Sequence, residues 1–134
     1  MAPLKPFNLI LVDDDPDEHN LVMEALELIG CGCNISFFRN ASSFLSFLEN
    51  ASEIPDALII EENMPIINGL DAVLDIRGQD RFLEMSIYVY SSFSDPKVFG
   101  AVSNIKNCSY VIKPLTFESL ADLLKKIVEG KQAF

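Results

Sequence analysis

Short apolar runs that stop at acids or hydroxyls alternate along this chain with stretches whose apolar residues recur every three or four positions. The first run, Phe7-Asn8-Leu9-Ile10-Leu11-Val12, ends abruptly at Asp13, and its length and bounding suit a buried strand. A helix is predicted next. Asp15 is a plausible N-cap, Pro16 fits the first helical position, and Asp17 and Glu18 place negative charge in the first turn. Leu21, Val22, Ala25, Leu28 and Ile29 follow at helical spacing, and Gly30 closes the segment.

The alternation repeats four more times. Asn34-Ile35-Ser36-Phe37-Phe38-Arg39 reads as a strand, followed by a helix with Phe44, Leu45 and Leu48 on one face. Ala57-Leu58-Ile59-Ile60 is a third strand that ends in Glu61 and Glu62; after a loop through Met64-Pro65 and Asn68-Gly69, Leu70, Val73 and Leu74 begin another helix. Ile87-Tyr88-Val89-Tyr90 runs into Ser91-Ser92, and Asp95-Pro96 starts a fourth helix through Val98, Phe99 and Val102. Ser109-Tyr110-Val111-Ile112 ends at Lys113-Pro114. Thr116 then caps a last helix carrying the cleanest apolar stripe, Leu120, Leu123, Leu124, Ile127 and Val128. Five strands each followed by a helix predict an α/β fold with a doubly wound parallel sheet, because right-handed crossovers place helices on both faces.

Composition narrows the function. A chain of 134 residues, 49% of them apolar, suits one domain over residues 1–134 with a core from about 7 to 130 and a mobile lead-in, Met1 to Pro6. The formal net charge of −10 argues against nucleic acid as a partner, since phosphate contacts need clustered Lys and Arg. Nothing approaches 18 consecutive apolar residues, so neither a transmembrane helix nor a membrane role is expected. Three cysteines without a secretory signal point to a reducing, cytoplasmic setting. Cys31-Gly32-Cys33 is too tightly spaced for a zinc half-site, and the one histidine is His19, so these cysteines read as small apolar or turn residues.

In such sheets the ligand site lies outside the carboxyl ends of the strands. Those ends deliver Asp13 and Asp14, Glu61, Ser91 and Lys113. Two carboxylates about 4 Å apart repel by about 4 kcal/mol at an effective dielectric near 20, so the cluster calls for a counter-charge. Lys113 offers one, and a magnesium ion, which takes one or two carboxylates and keeps several waters, offers two more. Asp15, Asp17, Glu18 and Glu62 read instead as solvated acids that cap helices.

Four separated segments now carry a resemblance. Leu11-Val12-Asp13-Asp14-Asp15-Pro16, Glu61-Glu62-Asn63-Met64-Pro65 with Gly69, Tyr90-Ser91-Ser92 and Tyr110-Val111-Ile112-Lys113-Pro114 resemble the receiver domains of response regulators, including the single-domain chemotaxis kind, from Phe7 to about Gly130. The resemblance implies a flavodoxin-like (βα)5 fold with strand order 2-1-3-4-5 and a role in phosphorelay signalling. It implies magnesium bound directly by Asp14, through water by Asp13, and by the backbone carbonyl of Asn63. Ser91 matches the hydroxyl residue that moves to bond the phosphoryl group, Lys113 the lysine that pairs with it, and Tyr110 the aromatic that reorients during activation. The Lys113-Pro114 peptide matches one that is usually cis. The implied partners are a histidine kinase or phosphotransfer protein and a separate downstream protein met through the helix 4–strand 5–helix 5 face, near Phe93, Phe99 and Tyr110. No output domain is expected after Phe134, so the effect is expected to fall on a separate protein, with the chain itself a monomer or weak homodimer.

The departure lies at the acceptor. Where the family reads Asp-x-x-Met-Pro, this chain reads Glu61-Glu62-Asn63-Met64-Pro65, and Asp56, five residues earlier, cannot be brought into register. Glu61 is therefore the residue at the acceptor and metal position. Its side chain is longer by one C–C step of about 1.5 Å, and a misplacement of about 1 Å can cost roughly 100-fold in a reaction that depends on in-line positioning. Phosphorylation at residue 61 is thus expected to be abolished or very weak, and no enzymatic turnover is expected. A carboxylate pushed outward instead approaches Lys113 and Ser91 as an incomplete mimic, with one negative charge against roughly 1.5 to 2 for a phosphoryl group.

Rival readings are a phosphorylation-independent pseudo-receiver, a haloacid-dehalogenase-type phosphatase using Asp13 and Asp15, and a flavodoxin-like electron carrier. The second conflicts with Pro16 starting a helix at that point. The third would need a Gly/Ser/Thr-rich phosphate loop where Asp13-Asp14-Asp15-Pro16 stands.

Overall fold

The computed structural model describes residues 6–130. The predicted strands and helices form in order, with one unpredicted 3-10 turn among them: β1 (Asn8–Val12), α1 (Pro16–Ile29), β2 (Asn34–Phe38), α2 (Ala41–Glu49), β3 (Ala57–Glu61), α3 (Gly69–Arg77), the 3-10 turn (Asp80–Phe82), β4 (Ser86–Ser91), α4 (Pro96–Ser103), β5 (Cys108–Ile112) and α5 (Phe117–Glu129). The strands make one sheet in the order β2-β1-β3-β4-β5, every pair parallel. This is the doubly wound sheet that the alternation predicted, in the flavodoxin-like strand order that the resemblance implied.

The period of two along each strand divides the core between the two faces. Ile10, Val12, Leu58, Ile60, Ile87 and Val89 point toward α2, α3 and α4, where Phe44, Val73, Ile76 and Val102 cover them. Leu9, Leu11, Ala57 and Ile59 point the other way, against Val22, Ala25 and Leu26 of α1 and Leu120, Leu124 and Ile127 of α5. Every residue of β3 is buried, as expected of the middle strand. The caps form as read: Asp15 accepts from the Asp17 N–H at 2.9 Å, Thr116 accepts from the Ser119 N–H at 3.1 Å, and Gly30 ends α1 with φ +63°.

Some readings need correction. Leu21, Leu28 and Leu74 face solvent. The stripe of α1 that docks on the sheet and α5 runs through Val22, Ala25 and Leu26, which leaves Leu21 and Leu28 on its flanks. Cys31 and Cys33 are not independent turn residues but are bonded to each other; Gly32 between them has φ +68°, a left-handed turn that brings both side chains to one side. No peptide bond among the described residues is cis, so Lys113-Pro114 takes the trans form that even X-Pro bonds favour by about 0.5–1 kcal/mol. No helix among the described residues is long and apolar enough to cross a membrane. The expected lead-in, up to Lys5, lies outside the described residues.

Candidate functional site

Register brings the site together. Val12 pairs with Ile60, Glu61 with Tyr90, and Ser91 with Ile112, so Asp13, Glu61, Ser91 and Lys113 reach the same sheet edge. Backbone bonds extend the ladder past the strands: the Glu62 N–H donates to Tyr90 O at 2.9 Å, and the Lys113 N–H donates to Ser91 O at 2.7 Å.

Three side chains meet there. Lys113 Nζ lies 2.7 Å from Glu61 Oε1 and 3.2 Å from Asp13 Oδ2. Both carboxylates are buried, with side-chain exposures of 1% for Asp13 and 8% for Glu61, which makes Lys113 their necessary counter-charge. The remaining oxygens are also engaged: Asp13 Oδ1 accepts from the Asp15 N–H at 3.0 Å, and Glu61 Oε2 accepts from the Asn63 N–H at 3.2 Å. Burial raises the Asp13 carboxyl above its ordinary value, against the opposing pull of the Asp15 N–H and Lys113. For Lys113, burial works to lower the pKa, but the bond to Glu61 and the charges of Asp13 and Glu61 outweigh it and hold the ammonium above its ordinary value.

The other predicted residues surround this triad. Ser91 is buried, and its hydroxyl donates to Phe93 O at 2.8 Å, so its proton is directed to the β4–α4 loop and not to Glu61. Tyr110 is half-buried and braces the same loop. Its hydroxyl donates to Phe93 O at 3.1 Å and accepts from the Asp95 N–H at 3.1 Å. Asp14 and Asn63 are exposed at the rim, outside the triad.

Sequence reasoning missed two contributors and misjudged the burial of a third. His19 Nε2 contacts Asp13 O at 2.7 Å, and its ring stacks on Phe37 with centroids 4.8 Å apart, which pins the β1–α1 loop. The Tyr90 ring lies beneath Lys113, its centroid 5.2 Å from Nζ, a cation–π distance that favours the ammonium. Glu62 does cap α3, accepting from the Leu70 N–H at 3.0 Å, but it is buried, not solvated as expected. The reason is the close return of the β3–α3 loop: the Gly69 N–H donates to Glu62 O at 3.0 Å, and α3 begins directly over the end of β3. A second acid directly after the buried strand β3 was the available signal, though it could not say which way the side chain turns.

The donors at this edge are hard oxygens: the carboxylates of Asp13, Asp14 and Glu61 and the carbonyl of Asn63. Against Lys113, the three carboxylates leave a formal surplus of negative charge that a divalent cation would offset. Among the described residues, no group of three or more His, Cys, Asp or Glu side chains is close enough to hold a metal alone.

Known proteins share this architecture. The chain is 30% identical over 129 residues to the probable methanogenesis regulatory protein FilR2 of Methanothrix harundinacea, covering 92% of this chain and 83% of that protein. It is 26% identical to chemotaxis protein CheY1 of Helicobacter pylori over 90% of this chain and 95% of that one. It spans about half, 51%, of the transcriptional regulatory protein PrrA of Mycobacterium leprae at 27% identity. The fold superimposes on the phosphorylated cyanobacterial phytochrome response regulator RcpA with a TM-score of 0.80, at 22% identity over 93% of both chains. The Mn(2+)-bound form of response regulator Rcp1 gives 0.73, at 20% identity over 92% of this chain and 90% of that one. The response regulator receiver domain family matches residues 9–125, from the first core strand into the last helix, and the chain belongs to that family.

Proposed function

We propose that this receiver domain of two-component signalling works with a built-in carboxylate in place of ordinary aspartyl phosphorylation, Glu61 standing at the acceptor position. The observation that carries the reading is the 2.7 Å contact between Glu61 Oε1 and Lys113 Nζ. The ammonium that would receive a transferred phosphoryl group is already taken by the residue that would have to accept it. Glu61 supplies one negative charge where a phosphoryl group supplies roughly 1.5 to 2. The Ser91 hydroxyl, bonded to Phe93 O, is not drawn to Glu61, which favours an incomplete mimic over a full one.

Magnesium would be held by Asp14 directly, by Asp13 through water, and by the Asn63 carbonyl and Glu61. When bound, it would neutralise developing charge on a transferring group. Lys113 and Asp13 fix the electrostatics of the pocket floor, and Tyr110 and Ser91 tie the β4–α4 loop to the sheet edge. Signals would arrive from a histidine kinase or phosphotransfer protein and leave to a separate protein through the α4–β5–α5 face, where Phe93, Phe99 and Ile112 are exposed.

Incubation with magnesium and a small acyl-phosphate donor, followed by intact mass measurement, tests the reading. Wild type should gain no phosphate, and Glu61→Asp should gain one. Stoichiometric phosphate on Glu61 would refute it. Failure of Glu61→Asp to react would favour the pseudo-receiver, as would an absence of magnesium binding to wild type, whereas saturable binding lost in Asp14→Ala would favour a retained phosphorelay pocket.

A further inference from the structure

We propose that Cys31-Gly32-Cys33 is a reversible redox site, a dithiol/disulfide pair that exchanges with small or protein dithiols. The two cysteines are bonded across a single glycine in the loop from α1 to β2, with Cα atoms 5.3 Å apart. Gly32 has φ +68°, with open space around the position a Cβ would take, so the turn that closes the ring relies on backbone freedom that few other residues have.

Two arguments favour a reactive over a structural pair. The first is chain statistics: the constraint that a cross-link places on the unfolded chain grows with the logarithm of the loop it closes, and this one closes a very short loop. The fold gains little from it. The second is access. Both cysteines are half-buried with exposed Gly32 between them, so an attacking thiolate can approach while the sulfurs still pack on the core formed by α1 and α5. Cys31 also lines a cavity of about 250 Å³ together with Lys125, and a nearby ammonium stabilises a departing thiolate; Glu129, on the same wall, opposes it.

Cys108 provides the contrast. It is a free thiol in β5, and burial pushes its pKa up to about 11, which leaves it almost wholly protonated and unreactive near neutral pH.

The exchange balances with an external dithiol as reductant. Its thiolate attacks one sulfur of the pair and forms a mixed disulfide; the Cys31–Cys33 bond breaks, and the departing thiolate takes a proton. The second thiol of the donor then displaces the other cysteine, which is protonated in turn. Two electrons and two protons pass to the chain, and the donor leaves as a disulfide.

The test equilibrates the full-length Cys108→Ser protein, folded, in graded mixtures of reduced and oxidised dithiothreitol. Free thiols are then alkylated under acid-quenched denaturing conditions and the intact protein is weighed. The expected result is loss of two alkyl groups together at a single redox midpoint, reversible on returning to reductant, with the protein monomeric on a non-reducing gel. Two alkyl groups at every ratio, a bond reducible only after denaturation, or a covalent dimer would each overturn the proposal. Should Cys108→Ser fail to fold, wild type run the same way gives the same two-group step above a constant third group.

Discussion

Lys113 holds Glu61 at 2.7 Å and thereby supplies a counter-charge to a carboxylate at the closed end of the middle strand. Lys113→Met keeps most of the stem's packing but leaves Glu61 and Asp13 facing each other without it. Removing one partner of a buried ion pair costs about 3–5 kcal/mol, and the partial exposure of Lys113 places the expected loss toward the lower end. Urea denaturation at neutral pH measures it. The pH dependence has a definite sign. The folded state holds the Lys113 ammonium above its ordinary value of 10.5, so it binds the proton more tightly than the unfolded chain does. That stability is complete below 10.5 and lost as pH rises through the higher folded value. On the alkaline side, wild type should therefore keep its advantage over Lys113→Met until strongly alkaline solution; an advantage already gone at neutral pH would count against the triad.

Glu62 makes a second titration prediction, in which removing the charge stabilises the fold. Burial raises its carboxyl above the ordinary value of 4.5, the Leu70 N–H opposes the shift, and the charges of Asp71, Glu61 and Asp95 add to it. The folded state thus binds this proton more tightly than the unfolded state, and stability falls as pH rises from 4.5 through the folded value. Glu62→Gln retains an oxygen for the Leu70 N–H and removes the charge. It should melt at a higher temperature than wild type near neutral pH, with the difference vanishing below 4.5. A lower melting temperature at neutral pH would show that the ionised form is needed for capping α3.

The sheet and the triad were legible in the chain because β1, β3, β4 and β5 each pass without interruption from apolar residues to one conspicuous polar residue, and parallel pairing leaves little freedom in where those residues land. Less legible were features that depend on where the chain turns back. The Asp80–Phe82 turn buries Phe82 although no periodicity surrounds it. The helical spacing of Leu21, Leu28 and Leu74 was read correctly, yet which stripe docks is decided by α5 and the sheet, not by α1 or α3. The burial of Glu62 follows from the approach of Gly69, a long-range event relative to the local code. The Cys31–Cys33 bond depends on the φ of one glycine.

Arg77 carries a third prediction. A basic residue at the end of α3 reads as a partner for the helix dipole, but its guanidinium donates to four backbone carbonyls, those of Phe82, Met85, Lys106 and Asn107. It thus joins the loop after α3 to the loop before β5. Unsatisfied part-buried acceptors cost about 1–3 kcal/mol each, so Arg77→Ala should lose at least ~2 kcal/mol in urea denaturation, since two of the carbonyls are part-buried. Arg77→Lys should not restore it, because an ammonium cannot present a planar fork to four acceptors. Full recovery with lysine would mean that charge, not geometry, holds these loops.

Gly69 links stability to the site. A Cβ built there falls 2.5 Å from Glu61 O and 3.0 Å from Glu62 Cα, both backbone atoms that cannot swing aside. Gly69→Ala must therefore lift the start of α3 from the end of β3, at a cost of about 1–3 kcal/mol for overpacking. The displacement is transmitted to Glu61, whose carbonyl bears the clash and whose side chain is held by Lys113 and the Asn63 N–H. Two readouts should move together: the denaturation midpoint falls, and the Lys113 side-chain resonance shifts as its contact with Glu61 lengthens. A destabilised variant with an unchanged Lys113 resonance would separate the packing of α3 from the geometry of the ion pair and refute the coupling.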